Sequence, residues 1–257
     1  INSADQLIKQ EDVDKMTEEI KSITLEPGEE ILDVIPQSYK VDMENGVTEP
    51  VGMHGKKLTG NFHIIIGEIT SAKNIKRCIE KLDINVDKLF LEPIASAEAV
   101  LTHDEKEAGV ALVDIGGGTT EIAVIALGGI VCNQSIRIAG DGFTADIQAY
   151  MRHQHNIKIG EKTAEDIKIN VGSALSQLKD PPPNYVVQGP NQMTALPIEV
   201  PVSYQEIAHC LEKSISKIET AILSALEQTP PELYSDIVNK GIWLAGGGAL
   251  LRGLDQR

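Results

Sequence analysis

Cysteine, aromatic rings, positive charge and long apolar runs are all in short supply in this chain. Its three cysteines, Cys78, Cys132 and Cys210, are odd in number, far apart and without a Cys-x-x-Cys pair. Neither a disulfide framework nor a thiolate metal site is expected, and a reducing cytoplasm is. Aromatic residues make up 4%, too few for a platform that stacks single-stranded bases. Against 38 acidic residues stand 23 Lys and Arg, for a formal net charge of -15. A duplex-binding surface requires clustered cations opposite the phosphates, so no nucleic acid is expected as a partner. A small basic patch facing anionic lipid stays open, because net charge does not exclude local patches. No run approaches the roughly 20 apolar residues of a membrane-spanning helix. The segment Ile1-Asn2-Ser3-Ala4-Asp5 is no signal peptide, and a chain that opens without Met is expected to have lost its true start.

What is present is ordinary globular material. Hydrophobic residues are 42% and charged residues 24% of 257, enough to bury the core of one large or two ordinary domains. The first stretch reads as a small α+β unit. Glu11-Asp12-Val13-Asp14 opens a helix with acids at the end the macrodipole favours, followed by Met16, Ile20 and Ile23 at helical spacing. Residues 31–41 and 63–69 are rich in β-branched side chains and predict strands. A helix from Ser71 carries Ile75, Cys78, Ile79 and Leu82 on one face, and residues 88–91 predict a short strand. Pro93 suits a first helical position, which leaves Glu92 at the junction of strand and helix.

From Gly109 the pattern is strand, glycine turn, strand: 110–113, Gly116-Gly117-Gly118, then 121–127, with a third strand over 130–138 after Gly128-Gly129. Helices are predicted over 143–153 and 163–175, short strands over 185–187 and 195–200. The longest helix follows, with a Ser203/Glu206 capping box and Ile207, Leu211, Ile215, Ile218, Ile222 and Leu226 as one apolar stripe. The chain closes with a short helix after Pro230-Pro231, a buried strand over 242–244, and a second glycine triplet. Strands, hairpin and crossover helices together indicate an α/β class with a mixed sheet.

Chemistry concentrates in Asp114-Ile115-Gly116-Gly117-Gly118-Thr119-Thr120-Glu121. Glycines let backbone N–H groups approach phosphate oxygens, hydroxyls add hydrogen bonds or orient a water, and Asp114 suits Mg²⁺, an ion that keeps several waters and few protein carboxylates. A hairpin turn whose glycines serve tightness alone is the plain alternative. Gly246-Gly247-Gly248-Ala249-Leu250 again follows a strand, where a flat ring or a phosphate could approach, although any strand-to-helix turn uses glycine. Both turns together point to one cleft. Glu165 and Lys168 share a helical face, as a surface ion pair or as part of that cleft. His153-Gln154-His155 puts two histidines on different faces of a helix, so solvated side chains are expected there and no metal site. Lys56-Lys57 reads as a loop.

Glu92-Pro93-Ile94-Ala95-Ser96-Ala97, Asp114 to Thr120 and Gly246-Gly247-Gly248-Ala249 resemble the actin, Hsp70 and sugar-kinase superfamily, and within it the bacterial actins. The resemblance implies an actin-like ATPase, ribonuclease-H-like fold, incomplete in this chain, that encloses ATP and Mg²⁺. It implies that Glu92 positions the attacking water with Thr120 beside it, and that Asp114 holds the metal's hydration shell. Gly116, Gly117, Gly118 and Thr119 are then the second phosphate loop. Glu165 and Lys168 flank the adenosine, and Gly247, Gly248, Ala249 and Leu250 form the adenosine loop.

Up to residue 113 the likeness is to FtsA division proteins, carried by Asn2-Ser3-Ala4-Asp5, Val34-Ile35-Pro36-Gln37, Pro50-Val51-Gly52-Met53 and residues 91–101. From residue 121 it is to MreB proteins of rod shape, carried by Ile136 to Asp141, Ile159 to Glu165 and Gly248 to Asp255. The switch falls in the shared stretch from Asp114 to Thr120; a recombined gene, a designed chimera or an assembly artefact would each produce it. Implied domains are an FtsA-type 1C subdomain over 1–87, a fragment of subdomain IA with the first interdomain connection over 88–108, subdomain IIA over 109–158 and 203–257, and IIB over 159–202. A first phosphate loop is expected before Ile1 and a second interdomain connection after Arg257, so weak ATPase activity is expected of the intact parent and none of this fragment. Implied partners are further copies in filaments, cell-shape or division proteins including a tubulin-like ring protein at the N-terminal part, and the inner membrane surface, at which a cytoplasmic protein would sit peripherally.

Overall fold

A computed structural model describes residues 6–126 and 128–257; Asn2-Ser3-Ala4-Asp5 and Leu127, expected to end a strand, lie outside them. The chain divides into two compact units, one running to Gly109 and including Ile125–Val131, the other made of Val110–Val124 and Cys132–Arg257.

The first unit contains β1 (Gln6–Leu7), α1 (Gln10–Lys21), β2 (Glu29–Val41), β3 (Glu44–Val47), β4 (His54–Gly55), β5 (Leu58–Glu68), α2 (Ile69–Glu80), α3 (Glu92–Val100) and α4 (His103–Ala108). Its main sheet has the order β3-β2-β5 and is antiparallel throughout, while β1 pairs with β4. Pro36 is tolerated inside β2 because β3 reaches only Tyr39 to Val41, so the proline needs to face one neighbour, and the ladder shifts register just after it. Tyr39 is buried and meets Phe62 edge-on, with ring centroids 5.9 Å apart. The Lys9 N–H donates to Asp12 at 3.0 Å, which confirms the acidic start of α1. Ile23 falls beyond its end and is exposed.

Residues 88–91 form no strand. Among the described residues no neighbour offers them a ladder, and extended backbone becomes a strand only where a partner takes its N–H and C=O groups. Lys88 instead pairs with Asp33 at 2.9 Å and lies over the Phe90 ring. α4 was not anticipated, although its signal is present: Thr102 and Glu105 form a reciprocal capping box.

The second unit contains β6 (Val110–Ile115), β7 (Thr120–Ala126) and β8 (Gly129–Ile136) except for their ends within Ile125–Val131, α5 (Gly140–Gln154), α6 (Glu161–Val171), β9 (Tyr185–Pro190), β10 (Pro197–Val202), α7 (Tyr204–Glu227), α8 (Pro231–Lys240) and β11 (Ile242–Ala245). The sheet order is β11-β6-β7-β8, with β11 parallel to β6, and β9 pairs with β10 as a hairpin. Every residue of β6 is buried, as a strand covered on both faces requires. Phe143, Ile147 and Met151 of α5 and Ile207, Leu211 and Ile215 of α7 are fully buried in one core with Ile167 of α6, each stabilising by about 1.5–3 kcal/mol.

Several boundaries differ from expectation for local reasons. β10 starts at Pro197 because Ala195 adopts φ +58 in a turn whose N–H returns to Asn191. α6 stops at Val171 because Gly172 turns extended against the Lys168 carbonyl, where a side chain has no room. β11 is not buried: among the described residues it is an edge strand paired only with β6, and Ile242 is 44% exposed. His155 is not solvated either; it is half-buried, 3.1 Å from Glu206 and edge-on to Tyr150. Among the described residues no cluster of His, Cys, Asp and Glu could hold a metal by itself, and no helix is long and apolar enough to cross a membrane.

Candidate functional site

Parallel strands present their carboxyl ends on the same side of a sheet, where turns are free to form a site. Here Ala245 at the end of β11 pairs with Asp114 near the end of β6, so the two glycine turns leave the sheet side by side. Their contact is close. Gly246 has φ +80, and a β-carbon there would come within 2.5 Å of the Ile115 carbonyl oxygen and still nearer the Asp114 carboxylate. One on Gly248 would overlap the Ile115 side chain. Glycine is therefore required at both positions by approach of one turn to the other, and at Gly246 by backbone conformation as well.

The first turn closes through the Gly116 N–H to the Thr119 carbonyl at 3.0 Å. Among the described residues the N–H groups of Gly117 and Gly118 have no hydrogen-bond partner, and both glycines are exposed. Asp114 is buried at 7% exposure. Thr120 is fully buried, with its hydroxyl donated to the Ile138 carbonyl at 2.6 Å. The turn is fastened to α5: Gly140 N–H donates to the Gly116 carbonyl at 3.1 Å and Asp141 N–H to the Gly117 carbonyl at 2.8 Å. These bonds start α5 three residues earlier than its apolar pattern does.

A cavity of about 740 Å³ lies against both turns, lined by Gly116, Gly117, Glu165, Lys168, Gly247, Gly248 and Leu250 among the expected residues. That volume is in the range of small-ligand and cofactor sites. Gly118, Thr119, Ala249, Asp114 and Thr120 do not line it, and Glu92 belongs to the other unit, as the first residue of α3. The lining also includes Gly140, Asp141, Phe143, Glu161, Lys162, Ile169, Gly172, Leu251 and Arg252, none of which had been assigned a role. The available signal was Gly140-Asp141 at the head of a helix, where N–H groups gather and anions bind. Arg252 closes one end by donating to the carbonyls of Ile169 at 3.0 Å and Gly172 at 3.3 Å, which ties the second turn to the last turn of α6.

Glu165 and Lys168 are more than a surface pair. The Lys168 ammonium is 2.7 Å from the Glu165 carboxylate and its side chain is only 15% exposed. Thr144 also donates to Glu165 at 2.7 Å. Burial pushes the Glu165 carboxyl up, but the hydrogen bonds from Lys168 and Thr144 outweigh it and hold the group below the ordinary carboxylate value.

Two carboxylates stand by the first turn. Buried Asp114 stands at the sheet end, and the Asp141 carboxylate lies beside Gly117 and Gly118. Mg²⁺ takes one or two such carboxylates, keeps waters and completes its shell with phosphate oxygens.

A family model described as MreB/Mbl protein matches residues 72–257, and one described as the SHS2 domain inserted in FtsA matches residues 1–66. The two meet ahead of the switch expected at Asp114 to Thr120. The chain is 34% identical over 247 residues to the cell division protein FtsA of Neisseria meningitidis, covering 96% of this chain and 57% of that one. It is 40% identical over 184 residues to the cell shape-determining protein Mbl of Bacillus subtilis, covering 72% and 55%. Among solved structures it is similar to MreB5 of Spiroplasma citri bound to ADP, at a TM-score of 0.69 and 34% identity, covering 74% of this chain and 57% of that one. The chain thus spans about half the length of the curated relatives it matches. It belongs to the MreB/Mbl family, with an actin-like fold and, at its N-terminus, the SHS2 domain found in FtsA.

Proposed function

We propose that this chain is the nucleotide-holding part of an actin-like ATPase whose ATP state controls filaments that direct bacterial cell shape. The observation that carries the reading is the parallel pairing of β6 with β11, which brings both glycine turns to one cavity. In it the N–H groups of Gly117 and Gly118 receive phosphate oxygens, with Thr119 at the end of the same turn. Gly247, Gly248, Ala249 and Leu250 receive the adenosine, and Glu165 and Lys168 flank it from α6. Asp114 would hold Mg²⁺ through its waters, and the ion would neutralise charge at the phosphates. Glu92 orients the attacking water and Thr120 supports it; the resemblance alone carries these two roles. The reading extends to domains: residues 1–87 as subdomain 1C, 88–108 as part of IA, 109–158 and 203–257 as IIA, and 159–202 as IIB. ADP in the MreB5 relative supports a nucleotide here. Further copies of the chain are the first partner, at the inner face of the membrane.

Titration of the chain with ATP and MgCl₂, followed by calorimetry, tests the site. Saturable binding that Gly248→Val abolishes is the expected result; no heat at millimolar ATP would remove the reading. In the intact parent, Glu92→Ala should slow phosphate release far more than nucleotide binding, and unchanged turnover would refute its role.

A second reading has its own support. The SHS2 match and a FtsA relative that runs along 96% of the chain favour a division adaptor in which ATP fixes a shape and is little hydrolysed. Capture of a tubulin-like ring protein by the first unit favours the adaptor. Nucleotide-dependent pelleting of filaments favours the cell-shape role.

A further inference from the structure

We propose that a second cavity, between α5 and the turn of the β9 and β10 hairpin, is a binding site for a small phosphate monoester. It measures about 700 Å³, in the range of small-ligand sites. Phe143, Ile147 and Met151 turn one face of α5 into the core, and Ala145, Gln148, Ala149 and Arg152, at helical spacing on another face, form one wall. Lys158 and the hairpin turn from Pro190 to Ala195 form the rest. The proposal does not rest on the nucleotide reading of the glycine turns.

Hydrogen bonds lock these walls together. Fully buried Ile157 anchors the segment after α5, the Lys158 N–H donates to the Pro190 carbonyl at 3.2 Å, and the Gln192 N–H donates to the Asn156 carbonyl at 2.8 Å. The hairpin turn is fixed from within, since Asn191 Oδ1 accepts from the N–H groups of Met193 at 2.9 Å and Thr194 at 3.1 Å. With that oxygen taken, the Asn191 NH₂ is the end that has hydrogens left for a ligand. Charge points the same way. In a chain of net charge -15, the described lining holds Arg152 and Lys158 and no acid, whereas Asp141, Glu161 and Glu165 all line the first cavity. Among the described residues the heads of Arg152 and Lys158 have no hydrogen bond or ion pair within the protein. A phosphate monoester brings a charge of about -1.5 to -2 at pH 7 and three acceptor oxygens, which matches two cations and a set of amide donors. An arginine fork takes two of those oxygens and a lysine serves as a point charge. The small side chains of Ala145 and Ala149 leave room beside α5 for the body of the ester, next to the amides of Gln148 and Gln192.

Backbone amide NMR of the full chain, titrated to millimolar concentration with glycerol 3-phosphate, glycerol or succinate, tests the site. Glycerol 3-phosphate should shift the amides of Ala145, Ala149 and Ala195 saturably, glycerol should not, and succinate should bind about tenfold more weakly or less well still. Arg152→Gln and Lys158→Gln, both at exposed side chains, should each weaken the ester about tenfold, while Lys158→Arg keeps it bound. Asn191→Asp preserves the acceptor that the turn uses but sets a carboxylate against the ligand, so binding should vanish with the urea midpoint unchanged. Pelleting with vesicles of phosphatidic acid but not of phosphatidylcholine, lost in the Arg152→Gln, Lys158→Gln double variant, would make a lipid headgroup the source of the ester; saturable shifts without pelleting would make it a soluble one. Ester shifts confined to Gly117 and Gly118 would place the anion at the glycine turns and overturn the proposal while leaving the nucleotide reading intact. It is overturned equally by an absence of shifts, by succinate binding as tightly as the ester, or by full affinity in the double variant.

Discussion

Adjacent glycines in the second turn make opposite predictions. At Gly246 alanine meets two penalties. Its backbone, φ 80 and ψ 167, lies in a region nearly restricted to glycine, which costs about 1–3 kcal/mol for any other residue. The new methyl also stands within 2.5 Å of the Ile115 carbonyl oxygen, well inside contact distance, and against the Asp114 carboxylate, so β11 has to move away from β6 or the carboxylate has to leave its place. Relief of such overlap adds roughly 1–3 kcal/mol. Gly246→Ala should therefore lose about 3 kcal/mol, a factor on the order of 100 in the folding equilibrium. Gly247 has a negative φ and nothing within 4 Å of its would-be β-carbon, so Gly247→Ala should fall within about 0.5 kcal/mol of the wild type. Urea unfolding followed by Trp243, the single tryptophan and a residue of β11, reads the right unit. Because Gly247 lines the cavity, its methyl should weaken ATP without changing the urea midpoint. Equal midpoints for the two variants would refute the account of the turns, and so would a destabilised Gly247→Ala.

Further tests are direct. The Glu206 carboxyl is pushed up by burial, but hydrogen bonds from the Ser203 backbone and hydroxyl, with His155 beside it, hold it below its ordinary value of 4.5. Its contribution to stability is therefore fully present above about that pH and lost as pH falls through the folded value, so Glu206→Gln should flatten the acid side of a stability profile. Ser203→Ala removes the cap of α7 and should cost about 1 kcal/mol in urea unfolding. Leu211→Ala, in the core between α5 and α7, should cost about 2–5 kcal/mol; a smaller loss would mean that the helices collapse onto the cavity. Burial, with Asp146 nearby, pushes the Cys210 thiol up to about 12, so iodoacetamide at pH 8 should label exposed Cys78 and leave Cys210 until the chain unfolds.

Elements with a strong local signal were legible without a structure. Ser203 and Glu206 set the start of α7, and four residues of its stripe, Ile207, Leu211, Ile215 and Ile218, are buried as their spacing requires, with Ile222 half-buried beside them. Gly116-Gly117-Gly118 is the hairpin turn it reads as. Illegible were features set by a distant neighbour. The start of α5, which carries Asp141 to the cavity, depends on the Gly116 and Gly117 carbonyls more than 20 residues away, and Arg252 is held there by the Ile169 and Gly172 carbonyls. Residues 88–91 have strand-forming side chains but no partner among the described residues, and β11 reads as buried because hydrophobicity does not reveal which strand takes the edge.

Periodicity, caps and glycine triplets are short-range properties, written by steric preference and by the need to remove apolar side chains from water within a few turns of chain. These the amino-acid order determined by itself, along with the chemical types able to meet a phosphate. Which residues face one another across a cavity follows from strand order and direction, and those are chosen by the packing of the whole unit. Tertiary structure alone decided that β11 lies parallel to β6, that two glycine turns some 130 residues apart touch, and that Lys168 of α6 meets Gly140 and Thr144 of α5.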